Sequence, residues 1–126
     1  MTYFKAAFWA TNPNNTYIHN AVAGSTHFGW WYRILDHPEG PSFTTDYCPK
    51  NIPFGRHHNN SVHSTGRFGL WIFPGYTPTA TGACNDNVPG TATFTDFTAY
   101  SNDKGGENVH STNIQFKYEN ILNIYE

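Results

Sequence analysis

One unit of this chain is used twice. Phe28-Gly29-Trp30-Trp31 returns as Phe68-Gly69-Leu70-Trp71, and its surroundings return with it. Asn20 matches Asn60 and Val22 matches Val62 at the same offset of forty residues. A fixed period of that length marks a supersecondary unit stacked on itself. Equivalent residues of successive layers then lie above one another. Asn20 and Asn60 are expected to form an internal amide ladder, with Val22 and Val62 as core neighbours. Gly29 and Gly69 mark a place where the chain bends or another backbone comes close.

The unit is built of strands. Aromatic residues make up 17% of the chain and charged residues only 13%, about half the usual share. Thr, Asn and Gly take the place of Lys and Glu. These are poor helix formers, whereas aromatics favour strands. Eight prolines, from Pro13 to Pro89, interrupt any long helix.

Strands are expected at Tyr3–Ala10, Thr16–Ala23, Phe28–Leu35, Phe68–Phe73, Thr91–Tyr100 and Asn113–Tyr118, where Ile114, Phe116 and Tyr118 alternate with polar residues. The segment His57–Ser64 corresponds to that around Asn20. Residues 36–53 and 74–90 are rich in Pro or Gly and read as excursion loops. Val109-His110-Ser111 echoes Val62-His63-Ser64 at a different offset, which implies a degenerate third repeat; the tail from Glu119 does not continue the pattern. The expected fold is all-β: a parallel β-helix of about three coils, residues 3–35, 54–74 and 91–118, forming one unit over 1–126. A small β-sandwich is the competing fold, and it requires antiparallel pairing of the Phe28 and Phe68 strands.

Cys48 and Cys84 each follow one of the repeated Trp strands. In a stack they leave at the same edge, where a disulfide ties two neighbouring loops and contributes ~3–4 kcal/mol in the loop-closure model. The alternative is two free thiols. Two N-glycosylation triplets, at Asn14 and Asn59, agree with an oxidising, extracellular or lumenal setting. The net charge of −2 and the scattered lysines and arginines give no phosphate-tracking stripe, so no nucleic acid is expected as partner. No apolar run approaches the roughly 20 residues that cross a bilayer, so no membrane insertion by this segment is expected. The N-terminus lacks the pattern of a signal peptide.

Residues 8–15 (Phe-Trp-Ala-Thr-Asn-Pro-Asn-Asn), 20–25 (Asn-Ala-Val-Ala-Gly-Ser), 59–64 (Asn-Asn-Ser-Val-His-Ser) and 68–74 (Phe-Gly-Leu-Trp-Ile-Phe-Pro) occur in an order that resembles the parallel β-helix region of the fibrocystin and fibrocystin-L family. The first block is also similar to the cell-surface hyaluronidases of the cell-migration-inducing type. The likeness runs from about residue 3 to 118. It implies a right-handed parallel β-helix within a very large single-pass protein at the extracellular face of the plasma membrane, or a secreted one. It also implies a fragment, with neighbouring β-helix coils of a longer parent chain as partners.

Chemistry is sparse. Seven histidines raise the question of a metal, but no Cys, Asp or Glu stands beside them at ligand spacing, and neither metal nor cofactor is expected. In a strand, His57 and His58 point to opposite faces, and His63 and His110 could stack. Asp96, His63, His110 and Arg67 are the one conceivable catalytic group on a face of the stack, although glycoside hydrolysis needs paired carboxylates at a set separation. Trp30 and Trp71 are candidates for stacking on a carbohydrate. Trp30 and Trp31 cannot both face the core, so one is exposed or covered by the following Pro-rich loop. No Gly-x-Ser-x-Gly elbow, phosphate loop or dinucleotide fingerprint is present. The expected role is a non-enzymatic extracellular spacer and adhesive surface, with a carbohydrate or an extracellular protein as ligand. The alternative is a piece of a β-helix that binds or cleaves hyaluronan-like polysaccharide.

Overall fold

The structure is a computed structural model that describes residues 4–121 and 124–125. Tyr3, expected to open the first strand, lies outside the described residues. Thirteen strands follow in chain order: β1 (Ala6–Ala10), β2 (Thr16–Ile18), β3 (Ala21–Ala23), β4 (Phe28–Tyr32), β5 (Arg56–His58), β6 (Ser61–His63), β7 (Phe68–Ile72), β8 (Ala92–Thr95), β9 (Thr98–Tyr100), β10 (Lys104–Asn108), β11 (Ile114–Lys117), β12 (Asn120–Ile121) and β13 (Ile124–Tyr125). They form three sheets with the orders β1-β4-β7-β10-β13, β11-β8-β5-β2 and β12-β9-β6-β3. Among the described residues every pairing between these strands is parallel. The chain visits the three sheets in turn and then repeats, which is a parallel β-helix.

The forty-residue period is the vertical register. Val22 pairs with Val62, Phe28 with Phe68, and Trp31 with Trp71. The spacing then shortens. Val62 pairs with Ala99, Leu70 with Gly106, Ala92 with Ile114, and Gly106 with Ile124. The stack therefore holds about four coils, β2–β4, β5–β7, β8–β10 and β11–β13, with β1 beneath β4. The span expected as a third coil contains the third coil and the start of a fourth. The connection into the fourth is only residues 109–113, whereas the two earlier ones span 33–55 and 73–91. That contraction hides the last coil from a search at a fixed period. It also means that the echo at Val109-His110-Ser111 is not vertical: His63 lies between Ala23 and Tyr100, and His110 falls in the short connection.

Among the described residues, two corners of each of the first three coils and one of the fourth are made by single residues in the left-handed region. His19, Asn59, Asp96 and Tyr118 (φ 59°, 54°, 51° and 57°) form one column; Gly24, Ser64 and Ser101 (φ 79°, 60° and 53°) form the other. This conformation costs a non-glycine residue about 1–2 kcal/mol, and short polar side chains tolerate it best. Hydrogen bonds between coils hold the corners: the His19, Asn59 and Asp96 N–H groups donate to the His58, Thr95 and Lys117 carbonyls at 3.1, 3.0 and 2.9 Å. The segments expected as single strands, Thr16–Ala23 and Thr91–Tyr100, are each split by such a corner.

The core is the interior of the spiral. Val22, Val62 and Ala99 stack in one column, and Trp30, Leu70, Tyr32 and Ile72 fill another side with Phe94 and Phe97. A second, outer cluster of Phe28, Trp31, Phe68 and Trp71 lies on the other face of the five-stranded sheet, with Phe4 packed against it. Strand alternation alone would put Phe28 and Trp30 on one face. It breaks at Gly29, where an added Cβ would lie 2.5 Å from the Gly69 carbonyl oxygen and 2.5 Å from Val62 Cγ2. Only a residue without a side chain lets the two coils approach there.

Candidate binding cleft and outer aromatic ladder

The amide ladder is present. Asn60 is 1% exposed, and its Oδ1 accepts hydrogen bonds from the Asn20 backbone N–H (2.9 Å) and Asn20 Nδ2 (3.2 Å). Its Nδ2 donates to the Tyr17 carbonyl at 2.9 Å. The column ends one coil higher, where Phe97 follows the corner in place of an asparagine and enters the core. Thr65 and Asn102 make a second polar column: the Thr65 N–H and hydroxyl both donate to Asn102 Oδ1, at 3.0 and 2.8 Å. These contacts are structural, joining one coil to the next.

Trp30 is 0% exposed inside the spiral, packed on Phe8, His57 and Phe97, and is out of reach of a ligand. Trp31 faces outward yet is also buried, covered by the aromatic ladder and by the first residue of the second loop. Its Nε1–H donates to the Phe73 carbonyl at 3.0 Å. Trp71 is 7% exposed; it stacks on Phe73 at 4.5 Å and donates to Glu107 Oε1 at 2.9 Å. Trp9 (48% exposed) and Phe73 (38%) are the rings that this face presents to solvent. Ring pairs of this kind contribute about 0.5–1.5 kcal/mol each beyond burial, so the ladder is a stiff outer spine.

The four candidate catalytic residues fall at different points of the coil. Asp96 occupies a left-handed corner, with its Oδ2 3.5 Å from His58 Nδ1. His63 ends β6 and stacks on Tyr100 at 4.9 Å. Arg67 precedes β7 and lies over the rings of Phe4, Phe28 and Phe68. His110 stands in the connection before β11. The structure thus joins Asp96 to His58, a residue not in the expected group, through a contact between adjacent coils. Among the described residues no cluster of three or more His, Cys, Asp or Glu could hold a metal ion.

His57 and His58 separate as strand geometry requires. His57 is 0% exposed, between Tyr17 below and Phe94 above, with Nδ1 3.0 Å from the Tyr32 hydroxyl. Burial pulls its pKa from the usual 6.5 down to about 3. Burial likewise raises the Tyr32 and Tyr76 hydroxyls well above the ordinary value. Asp86 is held down at about 2, first by the Thr81 hydroxyl and then by the Val88 and Thr81 N–H groups.

The two long connections form a lobe on one side of the stack. A disulfide joins Cys48 to Cys84, with Cα atoms 5.3 Å apart. Asn51 Nδ2 reaches the Ala83 and Cys84 carbonyls, and the Tyr76 hydroxyl donates to the Ile52 carbonyl. Lys50 pairs with Asp36 at 3.2 Å. Between this lobe and the coil lies a cleft of about 360 Å³, lined by Asn12, Arg33, Leu35, His37, Glu39 and Tyr47 among others. Its walls are fixed: Arg33 Nη1 bonds Glu39 Oε1 at 2.7 Å, and Asn12 Nδ2 donates to the Tyr47 hydroxyl at 2.7 Å. The size falls in the range of small-molecule sites. Sequence reasoning missed this cleft, because its residues come from two connections that carry no period. Asn14 and Asn59 are both exposed, Asn14 in the connection after β1 and Asn59 at a corner.

The CEMIP beta-helix family model matches residues 2–70. Human fibrocystin-L (Homo sapiens) is 51% identical over 96% of the chain, and mouse fibrocystin-L (Mus musculus) is 56% identical over 88%; the chain spans 3% of either protein. The mouse cell migration-inducing and hyaluronan-binding protein is 40% identical over 62% of the chain, which covers 6% of it. Such relatives imply a cell-surface or extracellular protein, and among the described residues no helix is long and apolar enough to cross a membrane. The chain belongs to the CEMIP beta-helix family, and it is similar along almost its whole length to fibrocystin-L.

Proposed function

We propose that this chain is a non-enzymatic extracellular β-helix module that acts as a rigid spacer and carries a ligand-binding surface. The observation that supports this reading best is the disulfide-tied lobe, which is docked on the stack and leaves a walled cleft beside Arg33, Glu39 and Tyr47. Polar groups fixed by mutual hydrogen bonds, a half-exposed tyrosine ring and an apolar floor at Leu35 suit a neutral polar ligand, either a saccharide or an extended segment of an extracellular protein. Further coils of a longer chain are the neighbours expected on the fourth coil, where Ile114, Phe116 and Ile121 are only partly covered.

A second reading, polysaccharide recognition or cleavage, draws on one relative's name as a hyaluronan-binding protein and on another's as a cell surface hyaluronidase. Incubation with hyaluronan separates the two. The spacer reading expects the polymer's length to stay unchanged over hours. Shortening that Asp96→Asn or His63→Ala abolishes overturns it in favour of an enzyme. If hyaluronan oligosaccharides bind without being cut, perturbation of the Tyr47 and Asn12 resonances places them in the cleft.

A further inference from the structure

We propose that, in the folded and secreted protein, Asn14 carries an N-linked glycan and Asn59 does not. Asn14-Asn15-Thr16 and Asn59-Asn60-Ser61 both satisfy the acceptor pattern, but the fold treats them differently. Asn14 lies in the connection between β1 and β2. The Asn14 side chain takes no part in holding that turn. The Asn14 N–H donates to Asn12 Oδ1 at 2.9 Å, and Asn15 Nδ2 donates to the Asn12 carbonyl at 2.6 Å. The Pro13 and Asn15 carbonyls accept from Gly55 and Arg56 of the next coil, at 2.9 and 2.8 Å. Asn14 and Thr16 are both exposed. A sugar added to Asn14 displaces none of these bonds.

Asn59 is exposed but engaged. It occupies a left-handed corner at φ 54°, its Nδ2 lies 2.6 Å from His19 Nδ1 in the coil below, and its N–H donates to the Thr95 carbonyl in the coil above. Strands of neighbouring coils lie about 4.8 Å apart, so this corner is closed on both sides, by His19 and by Asp96. The next residue, Asn60, is the buried rung of the amide ladder. Glycosylation forms a bond from Asn Nδ2 to C1 of an oligosaccharide donated from a lipid pyrophosphate. The C1–phosphate bond breaks, the lipid pyrophosphate leaves, and the amide gives up one proton. At Asn59 the nitrogen that bonds C1 is the one packed 2.6 Å from His19 Nδ1, so the sugar crowds a contact between coils that Asn14 does not have. A chain modified there does not close the corner and is lost from the folded population.

This inference rests on the extracellular reading above. Its test supplies the compartment independently, so the two can fail separately. The full chain is expressed in mammalian cells behind a secretion leader. Folded protein is recovered from the medium and, by protease resistance, from the cells. Peptide-N-glycosidase then converts each formerly modified asparagine to aspartate, which peptide mass mapping reads. The expected result is conversion at position 14 alone. Thr16→Ala, which spares the turn, is expected to remove the whole glycan mass, and Ser61→Ala to leave it unchanged. Conversion at position 59, or none at position 14, overturns the proposal.

Discussion

His57 gives the structure a pH dependence that can be calculated in advance. Its ring is 0% exposed and packed edge or face to Trp30, Phe94 and Phe97, so the charged form has lost its hydration. The pKa is lowered by that desolvation from 6.5 to about 3. The folded state therefore holds the ring neutral, whereas the unfolded chain takes up a proton as pH falls below 6.5. Stability from this residue is fully present above 6.5 and is lost as pH drops toward 3. With those two values, the linkage relation gives a loss of roughly 2 kcal/mol between pH 7.5 and pH 5. That is a large part of a typical 5–15 kcal/mol total, and for a domain of this size it corresponds to roughly 8 °C in Tm. Urea unfolding followed by tryptophan fluorescence at pH 7.5, 6.5, 5.5 and 5.0 measures the loss. The control is His57→Phe combined with Tyr32→Phe. Phenylalanine already occupies the same column one coil higher, as Phe94, and the second change removes the hydroxyl that would lose its partner. The double variant is expected to lack roughly 2 kcal/mol of the wild-type decline. An identical decline in both proteins refutes the reasoning and means that His57 is accessible or charged in the fold.

Gly29→Ala is expected to cost more than about 3 kcal/mol or to prevent folding, because the new methyl meets the Gly69 carbonyl and Val62. Gly40→Ala, where nothing lies within 4 Å but φ is +68°, is expected to cost about 1 kcal/mol, and chemical denaturation compares the two. Asn60→Ala leaves the Tyr17 carbonyl and the Asn20 N–H without their partner. It is expected to lower stability by about 2–4 kcal/mol in the same assay. Replacing both Cys48 and Cys84 with serine is expected to cost ~3–4 kcal/mol. Hydrogen exchange should then quicken across residues 36–53 and 74–90, while the Val62 amide stays protected.

How much of this was legible depended on whether a residue's neighbours lie one period away. Asn20 and Asn60, Val22 and Val62, and the two Gly-Trp strands could be read directly, because vertical contact and sequence offset coincide between the first and second coils. The cysteines followed from the same logic. The fourth coil was hidden because its connection shrinks to residues 109–113, which destroys the period. The Val-His-Ser echo misled for the opposite reason, since it is similarity along the chain without vertical contact. Alternation set Trp30 and Trp31 on opposite faces, as found, but it could not show that Phe28 shares the outer face with Trp31, because the pattern breaks at Gly29, or that an outer aromatic spine covers the second ring. The cleft depends on how Asn12, Arg33, Glu39 and Tyr47 meet across two aperiodic segments. Loop sequence alone does not specify such a meeting.

The central claim is that strands forty residues apart run parallel and in register. Nuclear Overhauser contacts in the full chain, labelled at aromatic and methyl groups, test it most directly. The account predicts cross-peaks from Phe28 to Phe68, from Tyr32 to Ile72 and between the methyl groups of Val22 and Val62. Cross-peaks joining Phe28 to Ile72 and Tyr32 to Phe68 instead mean antiparallel strands and contradict the spiral.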